Sequence, residues 1–410
     1  MKRHVIIGNS GAAISGVRAI RNISGEDDII LISKENCPAY SPVLTAYYLA
    51  GKITYNDMFF CNEAFYRTNR IGTLLGKTVV GIETTSKRVL LEDGSSVTYD
   101  DVLVATGSSP LIPSIKGSGL PGVFTLWTAG DARNIHDSLD EINSVAIVGA
   151  GLIGIQVMSA MVSQNKKVSF VEMSDHVAPL VLDVEAARIL EDWLKSNGVD
   201  LYLNEQVTSI QENGGKKLHF SSGAELQADA VILATGIRPN SDLLQGTDVR
   251  IEQGIVINEF CQTSVEDVYA AGDVTASSDP ISGKTVVKAT WPNALHQGRV
   301  AGLNMAGKEV PCSSSVRFNI FTCFGLVFAS MGIVEANAAR YTQSILRNRQ
   351  VYRKLLFDGD RLVGGVLTGY IDDAGILATM IEQRAVSCDL RDSLGEANAF
   401  MHSGRPLMVY

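Results

Sequence analysis

Two glycine turns, each placed where a short apolar run gives way to a helical pattern, constrain this chain more than any other feature. The first reads Val5-Ile6-Ile7-Gly8-Asn9-Ser10-Gly11-Ala12-Ala13, and the second Val145-Ala146-Ile147-Val148-Gly149-Ala150-Gly151-Leu152-Ile153-Gly154. A turn of this kind lets backbone N–H groups approach a pyrophosphate, and the helix N-terminus adds favourable electrostatics. Gly149, Gly151 and Gly154 keep the full G-x-G-x-x-G spacing, with Leu152 and Ile153 between them. In the first turn Ser10 and Ala13 take two of the glycine places, and both are small enough for close approach. One turn implies one dinucleotide. Two imply that two dinucleotides are held by one chain and that electrons pass between them.

The carboxylates downstream sharpen this reading. Glu172 ends the strand after the second turn, about 20 residues on, where a carboxylate accepts the adenosine ribose hydroxyls. That carboxylate would repel a 2′-phosphate, and Met173-Ser174-Asp175-His176 supplies no arginine, so NAD(H) is expected over NADP(H). Glu35 is the corresponding candidate for the ribose of the first site.

The elements around the turns repeat the same plan. The strand Val5–Ile7 leads to a helix with apolar positions at Ile14, Val17, Ile20 and Ile23, then to the buried strand Ile29–Ile32. Val79 to Val97 reads as a small β-meander turning at Asp93-Gly94, followed by the strand Val102–Ala105. Pro110, Pro113, Gly117, Gly119, Pro121 and Gly122 then mark a boundary. After it come the strand Val145–Val148, a helix to about Asn165, the strand Val168–Val171, the helix Val184–Ser196, a second meander and the strand Ala230–Ala234. A further strand, Asp267–Ala270, and a helix from about Pro292 belong with the first half. Beyond Val310 the runs Phe318–Val327, Arg353–Phe357 and Leu362–Leu367 read as an antiparallel sheet closed by helices.

Bulk properties exclude several classes. At 410 residues the chain exceeds one comfortable core. A net charge of −9 and a pI near 5.3 argue against a nucleic-acid partner, which calls for clustered Lys and Arg. No apolar run approaches the roughly 18 residues of a membrane span. The opening apolar stretch is too short for a signal segment, which makes a cytoplasmic location the expectation. Cys37, Cys61, Cys261, Cys312, Cys323 and Cys388 are scattered singly, with no C-x-x-C and no iron–sulfur or zinc spacing. They read as buried, inert thiols of a reducing compartment, and no metal site is expected. His136, His176, His219, His296 and His402 are isolated and read as structural.

Further motifs carry a family resemblance. Ala105-Thr106-Gly107-Ser108-Ser109-Pro110, Ala234-Thr235-Gly236-Ile237-Arg238-Pro239-Asn240 and Val268-Tyr269-Ala270-Ala271-Gly272-Asp273-Val274 fall in the order found in FAD-dependent pyridine-nucleotide oxidoreductases. Trp291-Pro292-Asn293-Ala294-Leu295-His296-Gln297-Gly298 is similar to that family's flavin-proximal helix, and the resemblance covers nearly the whole chain. Within the family the chain most resembles the branch of NADH-dependent rubredoxin reductases, nitrite reductase flavin domains and NADH oxidases. Pro38-Ala39-Tyr40-Ser41-Pro42-Val43-Leu44 and Tyr47-Tyr48-Leu49-Ala50-Gly51 resemble its segment under the flavin.

The resemblance implies an α/β fold with two Rossmann-like domains of the glutathione reductase type and a C-terminal α+β domain. Its expected boundaries are 1–112 with 238–310 for FAD, 113–237 for NAD, and 311–410 for an interface domain. It places Gly8, Ser10, Gly11, Ala12 and Ala13 at the FAD pyrophosphate, Glu35 at its ribose and Val79 at the adenine. Ala105, Thr106 and Gly107 would lie beside FAD, Gly272 and Asp273 at its ribityl and pyrophosphate side, and Trp291 and Ala294 near the ring. Gly149, Gly151, Leu152, Ile153, Gly154, Glu172 and Gly236 would serve NAD. Tyr47, Tyr48 and Trp291 are candidate walls of the flavin; the alternative is core packing.

Departures from the family bear on the reaction. Disulfide reductases carry a C-x₄-C pair at the flavin, and none is present. The coenzyme A-disulfide and NADH oxidase branch places one redox cysteine near Pro42 or Val43, and neither is cysteine. Ala46 stands where ferredoxin-reductase relatives often have lysine, Trp127 where an arginine touching FAD is common, and Gln156 where the NAD turn usually has glutamate. With no thiol relay, electrons would leave the flavin directly. The expected activity is an FAD-dependent NAD(H):acceptor oxidoreductase serving an iron–sulfur partner or subunit. That partner would be rubredoxin- or ferredoxin-like, or part of a multisubunit complex such as a tungsten aldehyde oxidoreductase in which NAD is reduced. A stand-alone NADH oxidase and a flavin-bearing, NADH-responsive regulatory module are the alternatives, and both a homo-oligomer and a hetero-complex are compatible.

Overall fold

The structure is a computed structural model describing residues 1–312, 315–335, 340–348 and 351–386; Cys388 and His402 lie outside the described residues. The chain divides into two units. The first comprises Met1–Leu111, Thr125–Ser138 and Gly236–Ser315, the second Ile112–Phe124, Leu139–Thr235 and Val316–Tyr410.

The first unit is built on a five-stranded sheet in the order Val268–Ala270, Asp101–Val104, Arg3–Ile7, Asp28–Ser33, Ile71–Leu75. All four pairings are parallel. Val5, Ile6, Ile29, Leu31, Ile32 and Val102 to Val104 are fully buried. Continuous apolar runs, not alternation, are what a sheet covered on both faces requires. The helix Gly11–Ile23 lays Ala13, Ile14, Val17 and Ile20 on this core. Ile23 departs from the expected stripe and is 42 % exposed. At 100° per residue it lies nine positions, or half a circumference, from Ile14. Against this helix packs Trp291–Met305 at very short range: a Cβ on Gly298 would meet the Ala12 carbonyl oxygen at 2.1 Å.

The meander forms as Val79–Glu83, Arg88–Leu91 and Ser96–Thr98, antiparallel throughout. The segment Thr125–Ser138, expected with the NAD-binding part, joins the first unit instead. Its helix Ala129–Asp137 starts at a capping box between Thr128 and Asp131. Trp127 Nε1 donates to the Ser108 carbonyl at 2.7 Å, and the His136 ring stacks on Tyr48 at 4.7 Å. These contacts between distant segments leave no periodic signal in the sequence.

The sheet of the second unit is ordered Asp200–Tyr202, Lys167–Val171, Ser144–Val148, Ala230–Leu233, Val123–Thr125, and the three pairings among the first four strands are parallel. Its C-terminal part is an antiparallel sheet ordered Phe318–Cys323, Leu326–Gly332, Arg361–Thr368, Val351–Asp358, Thr342–Asn348. The helix Ala374–Glu382 buries Ala374, Leu377, Ala378 and Ile381. The run Phe318–Val327 is therefore two strands. Phe324 and Gly325 take φ of 46° and 83° and turn the chain in a two-residue hairpin. Phenylalanine in such a place gives little warning of a turn. The edge strand Thr342–Asn348, largely exposed, has no apolar alternation to reveal it. Asp183 ties this sheet to the rest of the unit: it caps the helix Val184–Ser196 and accepts from Tyr352 Oη at 2.7 Å and Lys354 Nζ at 2.8 Å.

Candidate functional site

The two glycine turns are built alike, each within its own unit. Gly8 and Gly149 donate from N–H to Ile32 and Val171 respectively, both at 2.8 Å. Each is left-handed, with φ of 127° and 103°. A Cβ there would meet the carbonyl oxygen of Ala105 at 2.1 Å and of Ala234 at 2.3 Å. Both the backbone angle and the neighbouring strand therefore exclude any other residue. This explains why each turn recurs with a downstream Ala-Thr-Gly: the alanine carbonyl is the surface on which the turn rests.

In the first unit Gly11, Ala12, Gly272, Trp291 and Ala294, all expected at FAD, lie against one another. The built Cβ of Gly11 lies 2.9 Å from the Trp291 ring, and that of Gly272 lies 3.2 Å from Ala12 Cβ and 3.5 Å from Ala294 Cβ. Ala12 and Ala13 are buried on the helix whose N-cap is Ser10. Asp273 is held by Ser108 Oγ at 3.3 Å; burial raises its carboxyl above the ordinary range against the lowering effect of that hydrogen bond. Burial likewise raises Glu35, which accepts from Tyr40 Oη at 2.9 Å. Thr106 and Gly107 are clasped by Asn240. Its carbonyl accepts from Thr106 Oγ1 at 2.8 Å, its side chain donates to the Thr106 carbonyl at 3.0 Å, and its N–H donates to Gly107.

Other candidates stand apart. Val79 opens the separate three-stranded sheet. Tyr47 is half exposed with Lys52 Nζ 5.6 Å from its ring centre, whereas Tyr48 is buried. Gly236, expected at NAD, falls in the first unit and accepts from Leu111 N–H at 2.9 Å.

In the second unit Gly151 caps the helix Leu152–Ser163, leaving Leu152 and Ile153 half-buried at its first turn. Gly154 packs its backbone on the Gly149 carbonyl, with a built-Cβ distance of 2.1 Å. Glu172 is buried, and its two oxygens accept from Ala150 N–H at 2.8 Å and Ser174 N–H at 2.9 Å. A carboxylate offers about four acceptor directions, so two remain for ribose hydroxyls.

Sequence reasoning gave no role to Gln297, although it stands in the quoted helix. Its Oε1 accepts from Gly272 N–H at 2.8 Å and Thr275 Oγ1 at 2.9 Å, which fixes the Gly272-Asp273 turn. A helical glutamine buried to 2 % exposure is the signal that could have exposed it. Among the described residues no group of His, Cys, Asp and Glu could hold a metal ion, and no helix is long and apolar enough to cross a membrane.

The glycine cradles, the buried Asp273 carboxyl and the paired acidic strand ends fit two dinucleotides. Comparisons agree. Residues 2–298 match the pyridine nucleotide-disulphide oxidoreductase family model, and residues 318–385 match the rubredoxin NAD+ reductase C-terminal domain. The chain is 30% identical over 402 residues to the NADH-dependent phenylglyoxylate dehydrogenase subunit epsilon of Aromatoleum evansii, covering 95% of this chain and 93% of that one. It is 29% identical over 317 residues to the rubredoxin-NAD(+) reductase of Ectopseudomonas oleovorans, covering 77% and 82%. Among solved structures, an NAD-dependent persulfide reductase from A. fulgidus superposes with a TM-score of 0.90 at 25% identity, covering 98% of this chain and 84% of that chain. The chain belongs to the pyridine nucleotide-disulphide oxidoreductase family and is an FAD-dependent NAD(H) oxidoreductase.

Proposed function

We propose that this protein carries electrons between NAD(H) and an iron–sulfur protein, either a free rubredoxin- or ferredoxin-like carrier or a neighbouring subunit of a larger enzyme. The observation that carries the proposal is that, among the described residues, no activated thiol lies beside the first turn. Cys37 is the nearest cysteine in sequence to the segment under the flavin, and its carbonyl accepts from Asn9 Nδ2 at 3.0 Å. Burial, together with the Glu35 carboxylate, pushes its thiol up to about 11, so at neutral pH it stays protonated and is a poor nucleophile. Pro42 and Val43 occupy the positions where a redox cysteine would stand.

Bound FAD supplies the exchange between a two-electron donor and single electrons. The protein's own residues bind and orient. Glu172 selects the ribose hydroxyls of NAD(H). The Gly8 turn and Asp273 hold the pyrophosphate and ribityl side of FAD, and Gln297 keeps Asp273 in place. Trp291, lying on Gly11 and edge-on to Phe60 at 5.8 Å, shields the site from water. The names of two relatives support the reading, one a rubredoxin reductase and one a subunit of an NADH-dependent dehydrogenase.

The test is anaerobic reduction of the yellow holoprotein by NADH, then rapid mixing with oxidised rubredoxin or ferredoxin. Reoxidation should be at least about tenfold faster than with air-saturated buffer. Equal or faster reoxidation by air, yielding water or peroxide, would replace this reading with that of an NADH oxidase.

A further inference from the structure

Two cysteines that the sequence reading treated as inert meet in the first unit. Cys261 is fully buried, in the left-handed region with φ of 60°, at the end of the loop after Ile255–Val256. Cys312 is half-buried and packs against the core that contains Cys261, close enough for the two thiols to influence each other's ionisation. Their segments are fastened together. Asn304 Nδ2 donates to the carbonyls of Phe260 at 3.0 Å and Val310 at 2.9 Å, and Asn304 Oδ1 accepts from Val310 N–H at 2.9 Å. Cys312 N–H donates to the Glu259 carbonyl. His296 and Lys288 lie near enough to Cys312 to favour its ionised form.

We propose that Cys312 and Cys261 form a peroxide-reactive dithiol, Cys312 as the attacking sulfur and Cys261 as the resolving one. The neighbouring Cys261 thiol, His296 and Lys288 together hold Cys312 below the ordinary thiol range against the opposing effect of burial, whereas Cys261 is pushed above it. One sulfur is therefore prepared as a thiolate and reachable, and the other is kept protonated and covered, the division of labour that sulfenic acid chemistry uses.

The oxidant is a hydroperoxide. The Cys312 thiolate attacks hydrogen peroxide, an S–O bond forms as the O–O bond breaks, and hydroxide leaves. The Cys261 sulfur then displaces the hydroxyl from Cys312, its proton leaving with that group as water. In sum two thiols and one peroxide give one disulfide and two waters. This step involves neither dinucleotide and stands independently of the proposed acceptor.

The test uses the full-length holoprotein, treated with a small excess of hydrogen peroxide at neutral pH, alkylated and digested with trypsin. Cys261 and Cys312 fall in separate peptides, 251–284 and 309–317, each with a single cysteine. The expected result is a linked pair lacking two hydrogens. In the untreated protein Cys312 should be alkylated at least about tenfold faster than Cys37. Cys261→Ser should leave Cys312 as a sulfenic acid trapped by dimedone, and Cys312→Ser should abolish the linked pair. Absence of that pair in the parent protein, or alkylation of Cys312 no faster than Cys37, overturns the proposal whatever the variants do.

Discussion

The sharpest test of the proposed NAD(H) site is Glu172→Ala. In the folded chain this carboxylate performs two tasks: it staples the second turn through Ala150 and Ser174, and it leaves acceptor directions free for the ribose. A hydrogen bond to a charged group contributes about 1.5–3 kcal/mol, so losing the ribose contact should weaken NADH binding by about 2 kcal/mol, roughly thirtyfold. Removing the carboxylate also removes the repulsion toward a 2′-phosphate, so the KM for NADPH should rise less than that for NADH, or fall. The assay is steady-state reduction of ferricyanide by each nucleotide, run beside thermal unfolding of the holoprotein. Glu172→Gln makes the comparison informative, because its amide keeps one acceptor but turns a donor toward the second backbone N–H. A KM for NADH within about twofold of the parent, with only the unfolding temperature lowered, would show that Glu172 is a loop staple and not a ribose ligand.

Other expectations follow from the same geometry. Gly8→Ala should yield protein that purifies without yellow colour, since both the left-handed backbone and the Ala105 carbonyl at 2.1 Å exclude a Cβ; retained flavin absorbance would refute the cradle. Cys37→Ser should leave NADH-dependent ferricyanide reduction within about twofold between pH 6 and 9, because a thiol held at about 11 is protonated throughout that window. A loss of activity greater than tenfold would restore a thiol step. Asp183→Ala strands the buried Lys354 ammonium and removes a helix cap, so the second unit should lose about 3–5 kcal/mol. Adding Lys354→Met should recover most of that loss in chemical unfolding; no recovery would mean that the ion pair is not the source.

The halves of this molecule differed in how much of them a reader of the sequence could see. Each glycine turn, the strand before it and the helix after it span about twenty neighbouring residues, so steric rules for φ and the apolar run of a covered strand spell them out locally. Motif order also made the cofactors readable, because each motif has a specific chemical duty. The Phe324-Gly325 hairpin, the exposed Thr342–Asn348 edge and the placing of Thr125–Ser138 stayed hidden. Exposed strands carry no alternation, and a helix capped by its own Thr128 and Asp131 does not record which sheet it will cover.

What the sequence determined alone is the identity of the groups: two glycine cradles, two acidic strand ends, and Pro42 and Val43 where relatives of the family carry a redox cysteine. What tertiary structure decided is which groups meet. Asn240 reaches back to Thr106, Gln297 to Gly272 and Asp183 forward to Lys354. Cys261 and Cys312, two scattered thiols when read along the chain, are brought to one edge of the same core. The physical reason is separation. Contacts between residues tens to more than a hundred positions apart depend on loop closure and on close packing of whole elements, and neither is written in the periodicity of any one segment.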